Sequence, residues 1–564
     1  MRERERPLPY IRSYLTLGEY VGKWLEAKGE TYSPSTFIPR LLRQHRRDHL
    51  LAELAFLNHT LIHTGLRSRL IAEYRRRVPD EARADFDRLI DDGRVFVGRQ
   101  ALLRAMRRVL LDGTDDPDGT WGQHSVDTAI WLAQTVADEL GHAITERQGP
   151  ELWPGIQGPL AMELVQNYTF HGQEDIWQRL TRYGVLWDSH GAAVGRTRLR
   201  AAPDELFAEA TGVDRRDLFA VAFGLWSLAN DWEPPRPYRF DLLGAVSMPQ
   251  TTSKKCLDLL ALDLEGMATA LGDQSGDWQM LPFEEHPVLR LDDGSVIVLD
   301  ESFLLDRASS GLYWYVLNYE HGHDEALAST WSTAYGAMIE TYAENRIRAM
   351  APSHQAFYTE EQIKAAYAGK QADAMLDLGT FVFFEIQKGQ VSLPTRQEGV
   401  IDKFKKDTDR LVLTKAAQLE EAAINILNDE TPLTGQSQRT NPAGRPVIVS
   451  GGGYPVNPIT SEYISYTATQ RNLLQDPRLL ELCVIDVGEL EMLEAVCERT
   501  GRSAEDVLKE WKSGGGERYS LRTHFLEHRT SDPDQYRPGW MLKAGSAVFD
   551  DVQSRVAHPE SRRR

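Results

Sequence analysis

The sequence predicts a multi-domain α+β chain, and three observations predict it. Apolar residues recur at helical spacing from the start to about residue 275. The period falls to two between Pro287 and Leu299, and from residue 326 helical and strand-like runs alternate. The resulting division is a helical N-terminal region over 1–275, a small β-hairpin unit over 276–325, a C-terminal α/β domain over 326–527 and a flexible tail over 528–564. A chain of 564 residues is too long for one core and fits such a partition, since domains typically run to roughly 100–200 residues each.

Each element follows from local pattern. His49-Leu-Leu-Ala-Glu-Leu-Ala-Phe-Leu, Ser125 to Ile144 and Leu218 to Ala229 carry helical periodicity. Prolines in Asp231-Trp-Glu-Pro-Pro-Arg-Pro then interrupt helix. Pro287-Val-Leu-Arg-Leu, the turn residues Asp292-Asp-Gly and Ser295-Val-Ile-Val-Leu read as a hairpin. A helix is expected from Ala326 to Met350 and another from Asp402 to Leu427, with strands at Pro446-Val-Ile-Val-Ser and Leu480-Glu-Leu-Cys-Val-Ile-Asp-Val. The tail beyond Glu527 is rich in Ser, Pro, Asp and Arg and ends in Ser561-Arg-Arg-Arg.

Composition narrows the function classes. A net charge of -19 opposes an all-over nucleic-acid binder while leaving room for a local basic surface. The early arginines, among them Arg43, Arg46, Arg47, Arg75, Arg76, Arg77, Arg104, Arg107 and Arg108, read first as a solvated face paired with Glu53, Glu73 and Asp80, and second as a phosphate-binding face. Three cysteines, Cys256, Cys483 and Cys497, cannot build a disulfide framework, which suits a reducing compartment. No apolar segment follows the charged N-terminus and no run reaches the roughly 20 residues of a membrane helix, so a cytoplasmic protein without membrane attachment is expected.

The segment with chemical content is Gln371-Ala-Asp-Ala-Met-Leu-Asp-Leu-Gly-Thr-Phe-Val-Phe-Phe-Glu-Ile-Gln-Lys-Gly. Two β-like runs flank Gly379. A hairpin pivoting there sets Asp377 opposite Phe381, Met375 opposite Phe383 and Asp373 opposite Glu385. Opposed side chains have Cβ atoms about 4.5–5.5 Å apart, where like charges repel unless a cation lies between them. Hard divalent cations such as Mg²⁺ or Mn²⁺ prefer such carboxylate oxygens.

This arrangement resembles the PD-(D/E)xK nuclease superfamily, over roughly Trp331 to Leu427. The resemblance implies that Asp373 and Glu385 are the metal-holding acids and that Glu340, on the preceding helix, is an additional metal-linked acid. The implied reaction is Mg²⁺-dependent hydrolysis of nucleic-acid phosphodiesters. DNA is favoured over RNA as the commoner substrate of that fold, and a role as a bacterial defence or restriction effector is implied, with a protein partner or a second copy engaged through the helical region.

The triplet departs from the family pattern. Gln387 stands where lysine is usual, and Lys388 follows one position later. Strand alternation turns Lys388 to the face opposite Glu385 unless a bulge at Lys388-Gly389 re-aims it. Helix-borne Lys415, in Lys415-Ala-Ala-Gln418-Leu, is the other candidate for the missing charge, and Gln387 is expected to orient water or a phosphate oxygen. Lacking the tyrosine four residues after Gln418, the chain is not assigned to the exonuclease-like branch. The alternative is a catalytically inactive nuclease fold serving as a scaffold or binding platform.

Other motifs read as structural. His321-Gly-His-Asp-Glu is a solvated turn, Glu139 and His142 a helix-face pair, and Gly451-Gly-Gly and Gly514-Gly-Gly turns without the lysine of a phosphate loop. Cys483 and Cys497 are core residues. Leu312-Tyr-Trp-Tyr-Val packs a core in preference to stacking on bases.

Overall fold

The computed structural model describes residues 15–118, 124–146, 151–154, 156–158, 176–232, 238–242, 246–272, 280–513, 519–528 and 536–556. The charged N-terminal stretch, the prolines at 234, 235 and 237, the glycines at 514–516 and the final arginines lie outside them. Among the described residues no helix is long and apolar enough to cross a membrane. The protein is a mixed α+β chain, and it divides into two compact units that are each discontinuous in sequence.

The first unit comprises Met1–Gln148, Arg216–Ala308 and Ser554–Arg564. Its helices Arg47–Ile62, Arg99–Asp112 and Ser125–Glu146 bury Leu50, Leu54, Leu57, Ala105, Val109 and Ala133 almost completely. The expected hairpin forms as Val288–Arg290 and Val296–Val298, closed by Gly294 at φ 84°. A third strand, Ala261–Asp263, runs parallel to its first arm. This sheet belongs to the helical unit: Asp300, just past the hairpin, accepts two hydrogen bonds of 2.7 Å from Arg99 and one of 2.8 Å from Asn58. The early arginines pair with acids other than the expected ones, Arg47 with Asp115 and Glu265, Arg77 with Asp127 and Arg108 with Glu139.

The second unit comprises Gly149–Arg215 and Ser309–Gln553. Its sheet segment contains α1 (Glu325–Ala349), β1 (Phe357–Thr359), α2 (Glu360–Ala366), β2 (Ala374–Asp377), β3 (Phe381–Gln387), α3 (Ile401–Thr408), α4 (Thr414–Asn428), β4 (Gly444–Ser450), α5 (Pro458–Gln470), β5 (Cys483–Asp486) and α6 (Val487–Thr500). The strands order as β5-β4-β3-β2-β1, antiparallel from β1 to β3 and parallel from β3 to β5. Both faces are covered, which is why β3 and β4 read as nearly unbroken apolar runs. One face buries Met375, Phe381, Phe383, Ile448 and Val484 with Leu419, Ala423 and Ile426 of α4.

Local periodicity does not reveal that residues 176–215 join this unit. Trp187 packs on Trp331 of α1 at 5.7 Å between centroids, and Arg182 forms a buried fork with Glu491 of α6 at 2.5 and 2.6 Å. Such pairings are 144 or more residues apart in sequence, counting from Trp187 to Trp331. The expected flexible tail contains a helix, Gly539–Arg555, whose Phe549 stacks on Trp177 at 4.2 Å. Its Met541, Phe549 and Val552 are buried, Phe549 against a residue far earlier in the chain.

The minor motifs settle as structure. Cys256, Cys483 and Cys497 are free and buried. Residues 312–323 form a helix whose Leu312 and Val316 are buried and whose Tyr313 stacks on Trp331 and meets Tyr335 at a tilt, while Trp314 is exposed. His321 and His323 end that helix rather than forming a separate turn.

Candidate active site

From Asp377 facing Phe381 to Ala374 facing Phe384 the hairpin register is the one that the Gly379 pivot predicts, but the expected direct pairing of Asp373 with Glu385 does not form, because Asp373 bonds to the Phe384 carbonyl instead. Gly379 has φ 88°, a conformation that side-chain-bearing residues rarely adopt, so glycine fixes the turn. The regular ladder stops at Ala374 opposite Phe384. Asp373 then donates its N–H to the Phe384 carbonyl at 2.9 Å, and its Oδ2 accepts the N–H of Ile386 at 2.6 Å. The Asp373 carboxylate thus takes the place of a ladder carbonyl and is fixed next to the backbone of Glu385.

Glu385 points to the α4 side of the sheet and is 2 % exposed. Lys415 reaches its Oε1 at 2.6 Å, and Gln418, one turn further along α4, donates to Oε2 at 3.0 Å and to the Gln371 carbonyl at 3.2 Å. Residues three apart share a helix face, which is why Lys415 and Gln418 meet one carboxylate. Burial, followed by the charge of Glu385, pushes the Asp373 carboxyl well above the usual carboxylate range. Burial also raises Glu385, against the lowering effect of Lys415.

Glu340 sits on α1 and is itself raised, by burial and then by Glu360. It adds to the raised values of Asp373 and Glu385, so its carboxylate belongs to the same electrostatic neighbourhood. Yet among the described residues these three acids do not form a group with ligand atoms all within 4.8 Å of one another. Glu360, the first residue of α2, acts electrostatically on all three acids and escapes sequence reasoning. Its only local signal is the helix start Thr359-Glu-Glu-Gln362, where Thr359 and Gln362 form a reciprocal cap.

Two expected members are engaged elsewhere. Gln387 donates to the Leu411 carbonyl at 2.8 Å. Residues Asp409–Leu413 make a π-helical turn between α3 and α4, and Gln387 anchors it to the sheet. No bulge re-aims Lys388: β3 stays in register with β4 through Gln387 opposite Ser450. Lys388 projects to the α1 side, where its Nζ donates to the carbonyl and, at 3.0 Å, to the hydroxyl of Ser332. Gly336 makes room for it, since a Cβ there would lie 2.9 Å from Lys388 Cδ. Gly451 similarly lets the chain leave β4 against α1, where a Cβ would lie 2.7 Å from Ile339 Cγ2.

The geometry therefore unites Asp373, Glu385, Lys415 and Gln418, with Glu340 and Glu360 nearby, and leaves Gln387 and Lys388 on structural partners. The chain matches no family model, no curated protein and no solved structure.

Proposed function

We propose that the second unit is a divalent-metal-dependent phosphodiesterase acting on nucleic acid, with DNA as the favoured substrate. The observation that carries this reading is the pair of half-buried Asp373 and buried Glu385 at the end of a hairpin, held by Ile386 N–H, Lys415 and Gln418. Two neighbouring carboxylates withdrawn from water are costly while both are charged, and a cation removes that cost. The sheet order, with an antiparallel hairpin continuing into two parallel strands and helices on both faces, supports the same reading.

The donor set fits a hard cation. Both first-choice ligands are carboxylates, and among the described residues no donor reaches Asp373 Oδ1. Asp373 and Glu385 would hold Mg²⁺ or Mn²⁺, with Glu340 alongside. A bound cation supplies charge for the phosphoryl oxygens and lowers the pKa of water. The side chains do the positioning. Ile386 N–H fixes one Asp373 oxygen and Gln418 fixes the Glu385 rotamer. Lys415 is bonded directly to Glu385 and takes the part of the missing motif lysine, delivering positive charge to a scissile phosphate from the helix instead of from β3.

A second reading, a catalytically silent platform, is favoured by one observation. Gln387, at the motif lysine position, is committed to the Leu411 carbonyl and is not turned towards the acids. The two readings separate in a cleavage assay on single- and double-stranded DNA and RNA with Mg²⁺, Mn²⁺ or chelator. Metal-dependent cleavage that disappears in Asp373→Ala and Glu385→Ala supports the enzyme; metal binding without cleavage of any substrate supports the platform.

A further inference from the structure

The first unit contains a second group of potential metal ligands. His59 lies in the last turn of helix Arg47–Ile62 and His63 follows directly after its end, four residues on, with ring centroids 4.2 Å apart. Glu301 opens helix Glu301–Arg307 behind the Asp300 cap. His59 Nδ1 is hydrogen-bonded to Glu301 Oε1. One ligand atom from each of the three lies within 4.8 Å of the other two, and this is the one such group among the described residues.

A buried His–Glu hydrogen bond accounts for part of this arrangement. It leaves the Nε2 atoms of both His59 and His63 buried without a partner, although His59 is 2 % and Glu301 4 % exposed. An unsatisfied buried polar atom costs roughly 1–3 kcal/mol, so two in contact rings need a reason. The surrounding shell is built to hold a carboxylate in place. Asn230 donates to Glu301 Oε2 at 3.2 Å, Tyr238 donates to Oε1 at 3.4 Å, and neighbouring Asp300 is locked by Arg99 and Asn58. Metal-binding residues are commonly oriented by such partners.

We infer that His59, His63 and Glu301 form a site for a borderline divalent transition metal, Zn²⁺ foremost, with three protein ligands and an open fourth position. Two imidazoles and one carboxylate match the preference of zinc, whereas Mg²⁺ favours all-oxygen sets. Closing the group requires ligand atoms now within 4.8 Å of one another to settle at the separation of about 3.4 Å that bonds of about 2.0–2.1 Å impose, with the His59–Glu301 hydrogen bond giving way to the ion.

The test uses the full chain carrying Asp373→Asn and Glu385→Gln, so that the sheet acids do not contribute. The metal-stripped protein is titrated with Zn²⁺ against a chromophoric chelator, and the loaded protein is examined by zinc X-ray absorption. The expected result is one Zn²⁺ per chain with two imidazole ligands. His63→Ala and Glu301→Gln should each weaken binding by about 100-fold or more, and Asn230→Ala by about tenfold. Absence of stoichiometric binding, an absorption spectrum with fewer than two imidazoles, or unchanged affinity in a folded His63→Ala chain would overturn the site. If the variants do not fold, the ligand count of the chain with His59, His63 and Glu301 intact decides alone.

Discussion

Replacing Asp373 by asparagine removes one charge from the carboxylate pair and keeps an oxygen able to accept the Ile386 N–H. At an effective dielectric constant near 20 and a separation of about 5 Å, two carboxylates repel by about 3 kcal/mol. Lys415, at 2.6 Å from Glu385, offsets part of this, so a net gain of about 1–2 kcal/mol is expected for the metal-free variant. The sign with pH follows from the raised values of both carboxyls. The folded state keeps protons that the unfolded state releases, so the parent is favoured below the ordinary carboxylate range and loses that stability as pH rises towards the elevated folded values. The advantage of the variant should therefore be small at pH about 4 and full near pH 8. Thermal unfolding with chelator should show a midpoint about 2–5 °C above the parent at pH 8. Millimolar Mg²⁺ should raise the parent and narrow the gap. A lower midpoint at pH 8, or an equal shift at both pH values, would refute the electrostatic argument.

Three further outcomes are expected. Lys388→Met should leave any metal-dependent cleavage within about threefold of the parent, because Nζ is bound to Ser332 on the opposite face; a loss above about 100-fold would place it at the phosphate instead. Gln387→Ala should cost about 1 kcal/mol by leaving the Leu411 carbonyl unpaired, seen in urea unfolding as a lower midpoint, and an unchanged midpoint would contradict the anchoring role. Gly444→Ala should destabilise by about 1–3 kcal/mol, since its Cβ would lie 2.6 Å from Phe383 Cε2, and calorimetry showing no change would mean that Phe383 yields freely.

The parts of the site that could be read from sequence are those fixed by local geometry. A hairpin pivoting on Gly379 sets the register, and strand alternation sends Glu385 and Lys388 to opposite faces. Lys415 was legible as a charge on the helix that flanks the hairpin. The partner of Gln387 was not, because it depends on a π-helical turn at Asp409–Leu413 that exposes a carbonyl. Glu360 was hidden because only pairing of β1 with β2 brings the start of α2 near the acids. The division of the chain eluded periodicity for a related reason: Trp187, Arg182 and Trp177 are ordinary helical residues until Trp331, Glu491 and Phe549 meet them. The spacing of His59 and His63 was a usable helical signal, but Glu301 lies 242 residues from His59 and nothing local joins it to them.

In the proposed site two hairpin acids work with a lysine supplied by α4. Single-turnover cleavage of a labelled duplex in Mg²⁺, compared across the parent, Glu385→Gln, Lys415→Met and Lys388→Met, tests it most directly. Metal-dependent cleavage is expected from the parent, with a fall of about 100-fold or more in Glu385→Gln and Lys415→Met with their folds intact, and near-parent rates in Lys388→Met. Cleavage that survives loss of Glu385 and Lys415, or that depends on Lys388 instead, would contradict it.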